Sequence, residues 1–172
     1  MNYLFFDTET TGPNAKTAQI VQLAALLTDR SGRVLHHFCF LIKCDHVPEE
    51  ATAIHGITTE MCMRDGIDLD LAIEIFDRTL RYDDYTAVAH NIAYDLAVIR
   101  HWRPVKQICA MKRYKKKIGA RDRNGKLKNP TLAELYKFAT GKELIGAHDA
   151  WTDVLALKES FFALERRQCH AN

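Results

Sequence analysis

The sequence predicts an α/β sandwich built on a mixed sheet of about five strands flanked by helices. Two observations carry this. Three apolar runs, at 2–8, 20–28 and 33–43, follow one another across short connections. Beyond them, short apolar runs alternate with stretches of helical periodicity, the order expected of strand–helix units.

Taken in order, NYLFFDT (2–8) is a strand that Gly12-Pro13 ends in a turn. IVQLAALLT (20–28) and RVLHHFCFLIK (33–43) flank DRSGR, a hairpin-length connection with a glycine near its tip, so the first three strands are antiparallel neighbours. VPEEATAIHGIT (47–58) carries Pro48 where a first helical residue is expected, and Gly56 closes that helix. LDLAIEIFDRTL (69–80) has apolar residues at helical spacing. TAVAHN (86–91) is a short buried strand, and YDLAVIRHW (94–102) a helix that stops before Pro104. VKQICA (105–110) is the fifth strand, followed by a basic loop at 112–128. Pro130 and Thr131 open the helix TLAELYKFAT, which Gly141 closes, and a last helix runs from about Asp149 to Arg166.

The 172 residues are most simply one domain with a substantial core. With 47% apolar and 27% charged residues, the composition is that of an ordinary water-soluble protein. No apolar run approaches the ~20 residues that cross a bilayer, and no basic-then-apolar leader opens the chain, so neither a membrane span nor a secretory signal is expected. Cys39, Cys44, Cys62, Cys109 and Cys169 are odd in number and form no CxxC pair, which fits free thiols in a reducing cytoplasm. Cys44 and His46 make at most half a zinc site. The net charge of +2 is uneven: nine Lys or Arg and one Asp fall within 112–128, leaving a net −6 elsewhere. An acidic body with one basic segment suggests a polyanion gripped locally. In that segment Lys115, Lys116 and Lys117 are candidate phosphate contacts, and Tyr114 a candidate base-stacking residue; a plain solvated loop is the competing reading.

The chemistry concentrates in acids. Asp7 and Glu9, two apart on the first strand, project from one face, where their like charges repel. Buried carboxylates of this kind need a counter-charge or a metal. Asp95 and Asp153 each stand where a helix begins, a position that acids favour for the helix dipole alone. Strand pair, helix start and helix start together form a more specific pattern than any single acid. His148 is five residues before Asp153, which on one continuous helix would place them roughly 140° apart. They converge only if His148 lies on the loop before the helix, as Gly146 and an N-cap at Asp149 suggest. A histidine there is placed to take a proton from water.

FDTETTG, HNIAYDLAVI and HDAWTDV resemble, in acid identity, spacing and chain order, the three motifs of the DEDDh family of 3′–5′ exonucleases. That family includes polymerase proofreading subunits, three-prime repair exonucleases and ribonuclease T. IHGIT (54–58) matches the segment that borders the bound terminal nucleotide in the family. The resemblance runs from residue 3 to about 162 and implies a ribonuclease-H-like fold. It implies that Asp7, Glu9, Asp95 and Asp153 hold two divalent ions, Mg²⁺ or Mn²⁺, with His148 as general base. It places Thr10, His55 and Asn91 near the substrate, a single-stranded or frayed 3′ end, DNA before RNA. It also implies a polymerase or repair partner, in proofreading or DNA repair, although only Arg166 to Asn172 follow the last helix and no separate tethering tail is expected. Many proofreading members carry an Asp-Thr pair where this chain has Ile108-Cys109-Ala110-Met111, and the basic segment is longer than a bare catalytic domain requires. An exoribonuclease of RNA ends or short oligoribonucleotides is the alternative enzyme. A non-catalytic nucleic-acid-binding module is the rival class, and the intact acids and histidine count against it.

Overall fold

The computed structural model describes residues 2–80, 84–100 and 102–169, except the side chains at 79, 80, 168 and 169. The expected mixed five-stranded sheet is present. Strand β1 (Asn2–Thr10) pairs antiparallel with β2 (Ile20–Thr28), which pairs antiparallel with β3 (Val34–Leu41). On the other side of β1 lie β4 (Tyr85–Ala89) and β5 (Gln107–Cys109), both parallel, giving the order β3-β2-β1-β4-β5. Every residue of β2 is buried, as befits a strand covered on both faces.

The alternation of β1 divides the core. Leu4 and Phe6 face a layer containing Phe76 of α3 (Leu69–Leu80), Leu96 and Val98 of α4 (Ile92–Ile99), and Trp102. Phe5 faces the opposite layer, with Tyr114 of α5 (Ala110–Ile118), Leu135 of α6 (Leu132–Thr140), and Val154, Leu157 and Phe161 of α7 (Ala150–Cys169). A smaller cluster, including Val21, Cys44, Ala51 and Cys62, lies beneath α1 (Glu49–His55) and α2 (Thr59–Asp65). Among the described residues no helix is long and apolar enough to cross a membrane, and Cys39, Cys44, Cys62 and Cys109 are unpaired.

Gly56 and Gly141 close α1 and α6 in the left-handed region, as expected, and Thr131 caps α6 in a capping box with Glu134. Several expectations need correction. Pro48 sits one position outside α1, as its N-cap. β1 runs on to Thr10, so Glu9 and Thr10 belong to the strand. α4 starts two residues early and stops at Ile99, because Arg100 turns the chain with φ 57°; His101 lies outside the described residues, as do the final three. β5 is shorter than VKQICA. α2, capped by the Thr58 side chain, was not expected; its seven residues bury just Cys62, too little for a visible apolar period.

The largest correction concerns 112–128. Residues 112–118 of it are not loop but part of α5, because Ala110, Tyr114 and Ile118 recur every fourth residue and pack one helix face into the core. The remainder folds into a tight turn, with a bridge between Arg121 and Leu127 and the Asp122 carboxylate accepting from the amides of Asn124 and Lys126. Tyr114 is 1% exposed and donates a 2.7 Å hydrogen bond to Glu165, so it presents no face to a base.

Candidate active site

The carboxyl end of β1 is where the sheet changes from antiparallel to parallel pairing, the kind of crevice in which open α/β sheets place their ligands. Asp7 and Glu9 project here on the α7 side, opposite Ala24 and Gln22 of β2. The register slips after Glu9, ending the regular pairing beside the acids. Asp95, in the first turn of α4, is 4% exposed and accepts a 2.9 Å hydrogen bond from Thr8 Oγ1. Asp153, in the first turn of α7, is also buried. His148 lies, as expected, on the loop before that helix, exposed and in the left-handed region at φ 67°, a rare conformation for a residue with a Cβ. Its amide donates to Asp153 Oδ2 at 3.3 Å. Among the described residues, Glu9, His148 and Asp153 form a close set, with one ligand atom of each within 4.8 Å of the others.

Electrostatics show that all four acids share one neighbourhood. Burial raises the Asp7 carboxyl well above its ordinary value, and repulsion from Asp95, Asp153, Glu9 and Asp149 adds to it. Glu9 is pushed up to about 7 by burial, then by Asp153, Asp149 and Asp95. Burial raises Asp95 to about 7 against the opposing hydrogen bond from Thr8, and Asp153 to about 6 against the His148 amide. Asp153 Oδ1 is buried without a hydrogen-bond partner. Crowded oxygen donors, mutual repulsion and an orphaned carboxylate oxygen are what a hard divalent cation would relieve, so the donor set fits magnesium or manganese.

Beside the acids opens a pocket of about 460 Å³, large enough for a nucleoside. β1 and its turn contribute Thr8 to Pro13, α1 contributes Ala51, Ile54 and His55, and α4 contributes Tyr94. Thr10 is therefore in the wall, but its hydroxyl is engaged with Gly12 O and, at 2.6 Å, with the Tyr94 hydroxyl. His55 Nδ1 accepts from the Ile57 amide at 3.0 Å, which leaves Nε2 to carry the proton of the neutral ring. Burial, and then the nearby His148, hold His55 below its ordinary value. Asn91 is exposed just before α4 and does not line this pocket. Lys115, Lys116 and Lys117 also lie outside it, on the last turn of α5. Thr8, Gln22 and Tyr94 carry no carboxylate or imidazole and gave no signal in the sequence; their placement depends on tertiary partners.

The RNase T family model, described as an exonuclease, matches residues 4–161. The chain belongs to this exonuclease family. Family membership agrees with the resemblance to the DEDDh 3′–5′ exonucleases. Part of this exonuclease chain, 99 residues or 56% of it, is 33% identical to 7% of the PolC-type DNA polymerase III of Bacillus cereus. Its fold is that of Escherichia coli exonuclease I in complex with a dT13 oligonucleotide, with a TM-score of 0.83 at 21% identity, covering 99% of this chain and 42% of that one. The dA16 complex of the same protein gives 0.80 at 21%, over 98% and 42%. A moderately thermophilic exonuclease I from Methylocaldum szegediense gives 0.79 at 24%, over 98% and 41%. The chain thus spans less than half of these solved exonucleases and a small fraction of the polymerase.

Proposed function

We propose that the protein is a metal-dependent exonuclease that removes nucleotides one at a time from single-stranded or frayed 3′ ends, DNA in preference to RNA, releasing nucleoside 5′-monophosphates. The observation that carries this reading is the meeting of Asp7, Glu9, Asp95, Asp153 and His148 at the rim of a nucleoside-sized pocket. Two divalent cations, Mg²⁺ or Mn²⁺, held by Asp7, Glu9, Asp95 and Asp153, supply neutralisation of the charge that develops at the attacked phosphate. His148 takes the proton of the attacking water on an imidazole nitrogen; its exposure on the loop lets it pass that proton to solvent. Thr10 and His55 enclose the terminal nucleoside, with Asn91 at the helix start nearby. Lys115, Lys116 and Lys117 hold phosphates of the strand that leads into the site.

DNA is favoured because relatives of this chain include a DNA polymerase and exonuclease structures bound to dT13 and dA16. A polymerase or repair partner, and a role in proofreading or repair, rest on the same relatives. The unpaired thiols support a reducing, cytoplasmic setting and the continuous sheet a single exonuclease domain. Digestion of matched DNA and RNA oligonucleotides labelled at the 5′ end, with Mg²⁺ or Mn²⁺, tests the proposal. A descending ladder, faster on DNA, is expected. Release of labelled mononucleotide first would reverse the polarity, a faster RNA ladder would make the enzyme an exoribonuclease, and no digestion with either metal would end the reading.

A further inference from the structure

Strand β2 is wholly buried, and apolar except for Gln22 and Thr28. Gln22, 8% exposed, lies opposite Glu9 and on the same face of the sheet. Its Nε2 donates to Asp149 Oδ1 at 2.9 Å and approaches Cys39 Sγ at 3.5 Å, and its Oε1 accepts from the Ala150 amide at 2.9 Å. Asp149 in turn uses Oδ2 to accept from the Thr152 amide and hydroxyl, at 3.0 and 2.8 Å. Burial pushes the Asp149 carboxyl up, but the hydrogen bonds from Gln22 and Thr152 outweigh it and hold the group ionised.

One side chain thus clamps the residues on the carboxyl side of His148 to the strand that faces Glu9. We infer that Gln22 is a positioning residue: by gripping Asp149 and Ala150 it fixes where His148 stands relative to Glu9 and Asp153. The body of α7 has its own anchorage, since Phe161 and Phe162 pack on Tyr3 and Phe5 with ring centroids 4.9 to 5.8 Å apart. Loss of the clamp therefore frees the loop and leaves Asp153 in place. The loop needs such a hold because the left-handed backbone at His148 is a state that a side chain rarely adopts unaided. An amide is the side chain that suits the position: it donates to an ionised carboxylate with one end while accepting a backbone N–H with the other. A glutamate there would keep the acceptor and turn the donor into a second negative charge against Asp149.

This inference rests on the proposed exonuclease reading for its kinetic readout alone. Gln22→Glu is expected to lower kcat about tenfold or more while KM for the oligonucleotide holds and the Mn²⁺ dissociation constant stays within about twofold. Adding Asp149→Asn restores a donor across the pair and is expected to return kcat to within about threefold of the parent. Gln22→Ala, which adds no charge, gives the same kcat-against-KM split. Amide exchange at 147–150 should quicken in both single variants at position 22 and recover in the double variant. An unchanged kcat, a loss confined to KM, or a folded double variant without recovery overturns the inference. An inactive parent protein sinks the exonuclease reading instead, and amide exchange then decides alone: unaltered exchange in Gln22→Glu and Gln22→Ala rules the clamp out.

Discussion

Thr8 Oγ1 donates to Asp95 Oδ1 at 2.9 Å, joining β1 to the start of α4 across 87 residues. Thr8 points to the opposite side of the strand from Asp7 and Glu9, so the bond steers a carboxylate from the other layer toward them. It also stabilises the ionised form of Asp95, which burial drives up to about 7. Thr8→Val keeps the shape and removes the donor, so the Asp95 carboxyl must rise further. The expected result is an acid limb of kcat/KM displaced to higher pH, with a weakened apparent affinity for Mg²⁺ that high Mg²⁺ restores. Stability should fall by about 1 kcal/mol, the ordinary cost of a lost buried hydrogen bond. A pH profile at two Mg²⁺ concentrations checks both effects.

Asp7 carries the most crowded charge, with four acids acting on it. Asp7→Asn and Asp7→Ala should reduce hydrolysis about 10³-fold or more, since no other donor on β1 replaces that oxygen. Without metal the same variants should melt no lower than the parent, because a repelling buried charge has gone. Undiminished turnover would remove Asp7 from the chemistry. A lower metal-free melting temperature would mean that its charge is already compensated.

The pH dependence of stability has a definite sign. Glu9 and Asp95 reach about 7 and Asp153 about 6 in the folded protein, against ordinary values of 4.5 and 3.8. The folded state therefore holds more protons than the unfolded state, and stability falls as pH rises. As far as these groups are concerned, metal-free protein should be most stable below about pH 4, and lose stability from there up to about pH 7. Saturating Mg²⁺ should erase that decline, since cations and protons compete for the same oxygens. Melting curves between pH 5 and 8, with Mg²⁺ or with chelator, test this; equal slopes in the two series would contradict it.

How much of this was legible in the sequence depends on how far apart the deciding partners lie. The first three strands and the Asp7–Glu9 pair could be read because alternation and the i, i+2 rule act within a few residues. His148 was placed on a loop by the same local geometry of helix turns. Gln22 was invisible, because its meaning comes from Asp149 and Ala150, 127 and 128 residues away. α5 was hidden for another reason: six of its nine residues from Ala110 to Ile118 are Met, Lys or Arg, and charge density masked the Ala110–Tyr114–Ile118 period. α2 is too short to show a period at all.

His148→Ala should lower kcat by about 10² to 10⁴-fold, the range a positioned general base contributes. Its place in the tight set with Glu9 and Asp153 raises a second role, because an imidazole nitrogen suits a softer ion such as Zn²⁺. Titration separates the two. A base that is no ligand leaves Mn²⁺ affinity nearly unchanged when removed, whereas a ligand takes affinity with it. Nearly unchanged Mn²⁺ binding beside the lost turnover is the expected outcome.

The lysines on the last turn of α5 and its buried Tyr114 have separable roles. Lys116 and Lys117 are exposed and Lys115 half-buried on the last turn of the helix, with the shared core face on its other side. Replacing all three by Gln should weaken oligonucleotide binding and flatten the slope of log K against log salt by about 2, because each phosphate that a lysine ceases to neutralise keeps its counterion. Tyr114→Phe should do neither. It removes the hydroxyl that meets Glu165, beside the Arg113–Glu165 ion pair at 2.9 Å, and should cost about 1 kcal/mol of stability with unchanged binding. Binding measured at several salt concentrations, next to melting curves, separates them. A salt slope untouched by the triple substitution would make the basic face of α5 a solvated surface and move the strand's path elsewhere. Weaker binding by Tyr114→Phe at unchanged stability would instead put that ring back against nucleic acid.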